Sequence, residues 1–375
     1  MYTNKEIWNV SYPIFLGLLA QNIINVTDTA FLGRVGEVEL GASAMGGLFY
    51  ICVFTIAFGF SIGSQILIAR RNGEGRYKDV GPVMIQGGTF LLGLAVLMFG
   101  LTHLLAPSVV RLLISSDSIF DATMEFLNWR IFGFFFAFIN VMFRALYIGI
   151  TRTKVLTMNA VVMALVNVLL DYILIFGKLG FPALGVTGAA VATLFSRIIE
   201  AAVMVVYVRC IDKKLKLRFA DLLKRGGELT RDFLRYGLPI MGGQVVWSVN
   251  MLGQTMILGR YDAGVIAAVS IANMLHNMMY IAMNGLSSAV GIITGKTVGS
   301  GRMEKIREYS RTTQVIFLGL GILSGIAVHF LRDPFIGLYG ASDAAVAYAR
   351  EFINVISVTI IGTCYQAACL LSLIH

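Results

Sequence analysis

Ten stretches of mostly apolar residues, each near the length of about 20 that a helix needs to cross a bilayer, follow one another along this chain of 375 residues. They run roughly from 7–31, 43–69, 83–106, 126–149, 155–176, 184–208, 233–258, 265–294, 312–331 and 349–372. A helix satisfies its own backbone N–H and C=O groups where water is absent, so this pattern restricts the fold to an all-α polytopic membrane protein. The charge content agrees. Charged residues make up 14% of the chain and hydrophobic residues 57%, with a mean hydropathy of +0.78, whereas a soluble domain carries about a quarter charged residues. The first stretch is not a cleavable signal, because it is too long and carries Gln21, Asn22, Asn25 and Asp28 in its outer half.

The net charge of +9 invites a nucleic-acid reading, but its distribution argues otherwise. The loops after spans two, four, six and eight hold nineteen Lys and Arg residues, eight of them between Arg209 and Arg231, against five in the alternate loops. The positive-inside rule puts the basic loops and the N-terminus in the cytoplasm, so the charge sets topology. Cys52, Cys210, Cys364 and Cys369 form no CxxC pair and read as reduced structural thiols. The four histidines show no metal spacing, and no nucleophile–base constellation points to an enzyme.

The chain is internally duplicated at a constant offset of 226 residues (239 − 13). Pro13 pairs with Pro239, Leu32-Gly33-Arg34 with Leu258-Gly259-Arg260, Gly73-x-Gly75-Arg76 with Gly299-x-Gly301-Arg302, and Ser116-Asp117 with Ser342-Asp343. A six-span unit has both copies entering from one side, so the repeats are parallel. The expected organisation is an N-lobe of six helices over 1–208, a basic cytoplasmic linker over 209–232 and a partial C-lobe of four helices over 233–375. Position 375 maps to 149 of the first copy, so the chain reads as a twelve-span design cut to ten.

The polar residues inside the spans carry the functional signal. Asp171 lies about 9 Å below the outer end of span five at about 1.5 Å per residue, with Asn167 one turn deeper on the same face. Gln21, Asn25 and Asp28 share a face of span one, and Asp28 reaches a similar depth. Thr187 and Thr193 of span six add hydroxyls in that zone. An intramembrane carboxylate is costly and usually faces a cavity; low dielectric disfavours its charged form, which lets it load and release protons. The same residues also fit as interfacial groups or as hydrogen-bonding glue between helices. Pro13 removes a helical hydrogen bond and marks either a hinge or a static kink. In the second copy Gln254 replaces Asp28, Trp247 replaces Gln21 and Met251 replaces Asn25, so the acidic site belongs to the first half.

Two patterns mislead. Gly291-I-I-T-Gly295-Lys296-Thr297 is one residue short of a phosphate-binding loop. Gly59-x-x-x-Gly63 and Gly321-x-x-x-Gly325 fit close helix packing. Arg197, read as the one clear mid-span arginine, has Glu200 one turn away and fits an internal ion pair.

These residues carry a resemblance. Pro13 through Gln21 to T-D-T-A-F-L-G-R (27–34), G-x-T-R-T-K (149–154), N-V-L-L-D-Y (167–172) and G-V-T-G-A-A-V-A-T with Ser196-Arg197 together resemble the prokaryotic multidrug and toxic compound extrusion (MATE) transporters over the whole chain. The resemblance implies twelve helices in two lobes, V-shaped around a cavity, that export cationic or amphipathic drugs in exchange for protons or sodium. It implies that Asp28, Asp171 and Asn167 couple the cation, that Gln21, Asn25 and Thr193 line the cavity, and that Pro13 bends the first helix. Ile24 stands where relatives often carry tyrosine. Trp247 stands where another branch carries a coupling glutamate.

The expectation is a proton-coupled, or sodium-coupled, antiporter of the inner membrane that needs no cofactor beyond the ion gradient. Its partners would be small cationic or amphipathic molecules, H+ or Na+ and membrane lipids, with no nucleic acid and no metal. The alternatives are a lipid-linked-sugar flippase of related architecture, which needs several cavity arginines, and a truncated fragment that does not transport.

Overall fold

The computed structural model describes residues 4–114, 116–212, 227–258, 260–261, 263–301, 303–337 and 343–373. They form eleven α-helices and no strand among the described residues: α1 (Asn4–Val35), α2 (Glu37–Gly73), α3 (Tyr77–Leu113), α4 (Asp117–Arg130), α5 (Gly133–Gly149), α6 (Lys154–Phe176), α7 (Gly185–Val206), α8 (Gly227–Leu258), α9 (Ala263–Gly299), α10 (Met303–Ile336) and α11 (Asp343–Leu373). A π-helical turn, Tyr207–Ile211, extends α7. Among the described residues eight helices are long and apolar enough to cross a membrane, or nine when α4 and α5 count as one bent span. The helix α8, at 32 residues, has ample length but falls short in hydropathy. Most of the basic linker, 213–226, lies outside the described residues.

The duplication is visible in the backbone. The helices α2 and α9 end at Gly73 and Gly299, α3 and α10 begin at Tyr77 and Met303, and α4 and α11 begin at Asp117 and Asp343, each pair 226 apart (299 − 73). Gly75 and Gly301 turn the chain with φ of 71° and 72°, a left-handed conformation that glycine adopts at no steric cost.

Among the described residues the copies differ in their fourth span. The expected single span over 126–149 is broken at residues 131–132, where α4 and α5 meet at a bend of 54°. The equivalent positions in the second copy, Ser357 and Val358, lie inside the unbroken α11. Ile131 is buried against the α2–α3–α5 core, which holds the break in place.

The chain divides into two compact units, Leu16–Met251 and Met1–Phe15 with Leu252–His375. The repeat assigns residues 233–251 to the second half, yet they pack within the first unit. The reason is close backbone approach of α2 and α8. A Cβ at Gly63 would lie 2.7 Å from Gly237 Cα, and one at Gly59 3.2 Å from Ile240 O. The Ser248 hydroxyl then donates to Cys52 O at 2.9 Å, and it lies 3.1 Å from Thr55 Oγ1. In the other unit Gly321 and Gly325 bring α10 onto Ile361 and Ser357 of α11, as expected of a small-residue packing pair.

Candidate cation and substrate site

The first unit builds its polar centre on the α6–α7 pair. Glycine at position 188 is required there, because a Cβ would lie 2.7 Å from Leu174 O. This contact draws Asn167, Asp171 and Thr193 into the interior, at 0%, 0% and 4% exposure. Asn167 Nδ2 points to Thr193 Oγ1 at 3.5 Å, the outer limit of a hydrogen bond.

The helix α1 runs alongside in parallel register. Gly17 faces Ala160, Ala20 and Ile24 pack with Ala160, Met163 and Ala164, and the Phe31 ring meets Tyr172 and Phe176. The register of 143 residues (160 − 17) sets Asp28 opposite Asp171, and their carboxyl groups come within hydrogen-bonding reach of each other. Among the described residues no N–H or hydroxyl group reaches Asp28 Oδ1, Asp171 Oδ1, Asp171 Oδ2 or Asn167 Oδ1. Two carboxylates this close repel unless a proton or a cation lies between them. The set of buried, unpartnered oxygens is what such a guest would occupy.

The other α1 residues stand less close. Gln21 is half-buried and Asn25 exposed, and no hydrogen bond joins either to the acids. Pro13 is buried inside α1, which continues through it. Ile24, 5% exposed, fills an apolar contact with α6.

Two arginines were overlooked in the sequence. Arg130, the last residue of α4 before the break, stacks 4.8 Å from the Tyr50 ring centroid and 5.5 Å from that of Phe126. It acts electrostatically on both Asp28 and Asp171 but forms no ion pair among the described residues, and its Nε has no acceptor. Arg144 lies in α5 with its guanidinium 5.0 Å from the Phe58 ring centroid. Arg197 is therefore not the one mid-span arginine; both newcomers sit in the fourth apolar window. Arg197 itself forms the internal pair expected of it, 2.8 Å from Glu200, and Asn140 Nδ2 donates to Glu200 Oε2 at 2.7 Å and to Arg197 O at 3.2 Å.

Other motifs prove structural. The segment from Gly149 to Lys154 is a tight joint: Asn72 Nδ2 donates to Gly149 O at 3.1 Å, Thr151 has a φ of 62°, and Arg152 pairs with buried Asp212 at 2.7 Å. Gly291 to Thr297 lies wholly within α9, where the Thr294 and Thr297 hydroxyls donate to Val290 O and Ile293 O of their own helix; no loop exists there to cradle a phosphate. Thr187 donates to Glu125 rather than joining the acids. The described cysteines, Cys52, Cys210 and Cys364, are free. Among the described residues no cluster of His, Cys, Asp and Glu could hold a metal ion.

The family model described as MatE matches residues 13–173 and 239–371. A protein of Halalkalibacterium halodurans named probable multidrug resistance protein NorM is 28% identical over 346 residues, covering 90% of this chain and 74% of that protein. Among solved structures, an outward-facing multidrug resistance MATE family transporter of the MOP superfamily superposes with a TM-score of 0.89 at 20% identity, over 98% of this chain and 81% of that one. A MOP superfamily transporter from Pyrococcus furiosus, described as having a binding pocket of reverse polarity, superposes with a TM-score of 0.87 at 20% identity, over 99% and 82%.

Proposed function

Because the chain belongs to the MatE family, a family of multi-pass membrane transporters rather than enzymes, we propose that it exports small cationic or amphipathic drugs by exchange for protons. The observation that carries this reading is the meeting of half-buried Asp28 and buried Asp171, whose oxygens Asp28 Oδ1, Asp171 Oδ1 and Asp171 Oδ2 have no donor among the described residues. In the deprotonated state the pair attracts a cationic drug; protonation removes that attraction and releases it. Asn167 and Thr193 extend the same polar cluster. Gln21 and Asn25 lie along α1 where a substrate would approach, and Pro13 is the residue at which α1 would bend. Rocking of the two repeats would supply alternating access. The basic loops favour the inner membrane, with the N-terminus cytoplasmic.

The names of the relatives support drug efflux, and oxygen ligands from Asn167 and the acids would also suit sodium. A lipid-linked-sugar flippase is less well supported, because Arg197 is committed to Glu200 and Arg130 faces the acids; this leaves one arginine where a pyrophosphate needs several. The test is dye efflux from everted vesicles energised separately by a proton and by a sodium gradient. Efflux should follow ΔpH and vanish in Asp171→Asn. Undiminished ΔpH-driven efflux in that variant would reject the mechanism, and efflux driven by sodium alone would reassign the ion.

A further inference from the structure

Among the described residues Arg144 is a cation without an anion. No hydrogen bond or ion pair from them engages its guanidinium, which rests against the Phe58 ring. The nearby acids are committed elsewhere, Glu200 to Arg197 and Asn140 and Asp212 to Arg152. Arginines inside a bilayer usually reach for the interface or pair with an acid. Arg144 does neither. The helices α2 and α5 run parallel, with Tyr50 stacked on Phe134 near one end and Gly149 against Ile68 near the other. A helical side chain leans toward its own N-terminus, which carries the Arg144 guanidinium back to Phe58, between those two ends.

Phe58 is one rung of an aromatic ladder on α2. The rings of Tyr50 and Phe54 stack at 6.2 Å and those of Phe54 and Phe58 at 6.3 Å, a strip of about 12 Å at 1.5 Å rise per residue. Phe54 and Phe58 are half-buried, so the strip keeps an open side. At the Tyr50 end sits Arg130, whose charge acts on Asp28 and Asp171 from beyond ion-pair distance. The second copy keeps rings at the positions of Tyr50 and Phe54, His276 and Tyr280 with centroids 5.7 Å apart, but has Ile356, Leu370 and Asn284 at those of Arg130, Arg144 and Phe58, so the two arginines and the third ring, like the acids, belong to the first copy alone.

We infer that Arg144 and the Tyr50–Phe54–Phe58 ladder form a subsite for the anionic group of an aromatic amphiphile, such as a carboxylate, whose cationic end is drawn toward Asp28 and Asp171. The cationic half of this statement rests on the proposed transport reading; the anionic half does not. The aromatic body lies along the rings, and the carboxylate takes a charge-assisted, bidentate bond from the guanidinium. The ladder alone selects flat molecules, whereas Arg144 adds a preference for zwitterions over simple cations.

Two dyes that share one ring system separate these effects: rhodamine 123, a cationic methyl ester, and rhodamine 110, its free acid. Binding to the purified detergent-solubilised protein is read by fluorescence anisotropy without a gradient, so a failure of ion coupling does not affect it. Arg144→Gln should weaken rhodamine 110 about tenfold, the loss expected for one charge-assisted bond, and leave rhodamine 123 unchanged, which also reports a folded site. Arg144→Lys should recover part of the affinity. Absence of rhodamine 110 binding to the unaltered protein, or equal effects of Arg144→Gln on the two dyes, overturns the inference. Phosphatidylglycerol that displaces rhodamine 110 from the unaltered protein but not from Arg144→Gln would assign the subsite to a lipid headgroup and overturn the substrate assignment.

Discussion

The guanidinium of Arg130 rests 4.8 Å from the ring centroid of Tyr50, within the electrostatic reach of Asp28 and Asp171 but outside ion-pair distance of both. The ring therefore holds a positive charge beside two acids without neutralising them. Removing that charge in Arg130→Gln takes the nearest cation from the deprotonated pair. The pH at half-maximal dye efflux should move upward by about one unit, a typical effect of one charge at this range in a partly buried site. Arg130→Lys should fall between. Efflux measured across a pH series in everted vesicles gives the answer, and an unmoved profile would separate Arg130 from the acids.

Asn167 and Thr193 should respond unequally. Their contact is long, at 3.5 Å, so Thr193→Val should cost less than about 1 kcal/mol in stability and preserve most efflux. Asn167→Leu removes a buried polar oxygen from the acids' neighbourhood and should abolish efflux while keeping the folded protein. Thermal unfolding and efflux of both variants, measured side by side, test the asymmetry.

The α2–α8 contact makes a paired prediction. A methyl at Gly63 meets Gly237 Cα at 2.7 Å, whereas one at Gly47 meets nothing within 4 Å. Gly63→Ala should destabilise by about 1–3 kcal/mol through overpacking. Gly47→Ala should be neutral or slightly stabilising, because alanine suits a helix better than glycine. Melting temperatures of the two detergent-solubilised variants should diverge in this sense.

Asp212 is almost wholly buried while its partner Arg152 is partly exposed. Arg152→Ala removes the 2.7 Å ion pair from the buried carboxylate, which keeps the Tyr147 hydroxyl at 3.5 Å among its partners, and should lower stability by about 1–3 kcal/mol, below the cost of breaking a fully buried pair. Adding Asp212→Asn to that variant should restore part of the loss. A double-mutant cycle on thermal unfolding measures the coupling.

Much of this architecture was legible because bilayers and duplications leave long signals. The apolar windows and the recurring Gly-x-Gly-Arg turns survive any ambiguity at helix ends. The depth of Asp28 and Asp171 could be counted from span ends, and the i, i+4 spacing placed Asn167 beside Asp171. Their meeting could not be read this way, because it depends on the α1–α6 register, which Gly17 and Ala160 set through space. The break at Ile131–Phe132 was hidden because both residues are apolar and neither is proline, so the hydropathy of the window runs on undisturbed. The same averaging concealed Arg130 and Arg144, single charges within a strongly apolar run. Packing of α8 onto α2 was equally silent, since a GxxxG pair says that something comes close but not which helix.

The glycine-lined seam between α2 and α8 also bears on how the polypeptide can be divided. A backbone cut between Asp212 and Gly227 separates the two repeats in sequence, but residues 227–251 remain held by helices made from the other piece. Two fragments co-expressed from separate messages should therefore find each other in the membrane and co-purify through that seam. A bulky side chain at position 63 should be enough to keep them apart.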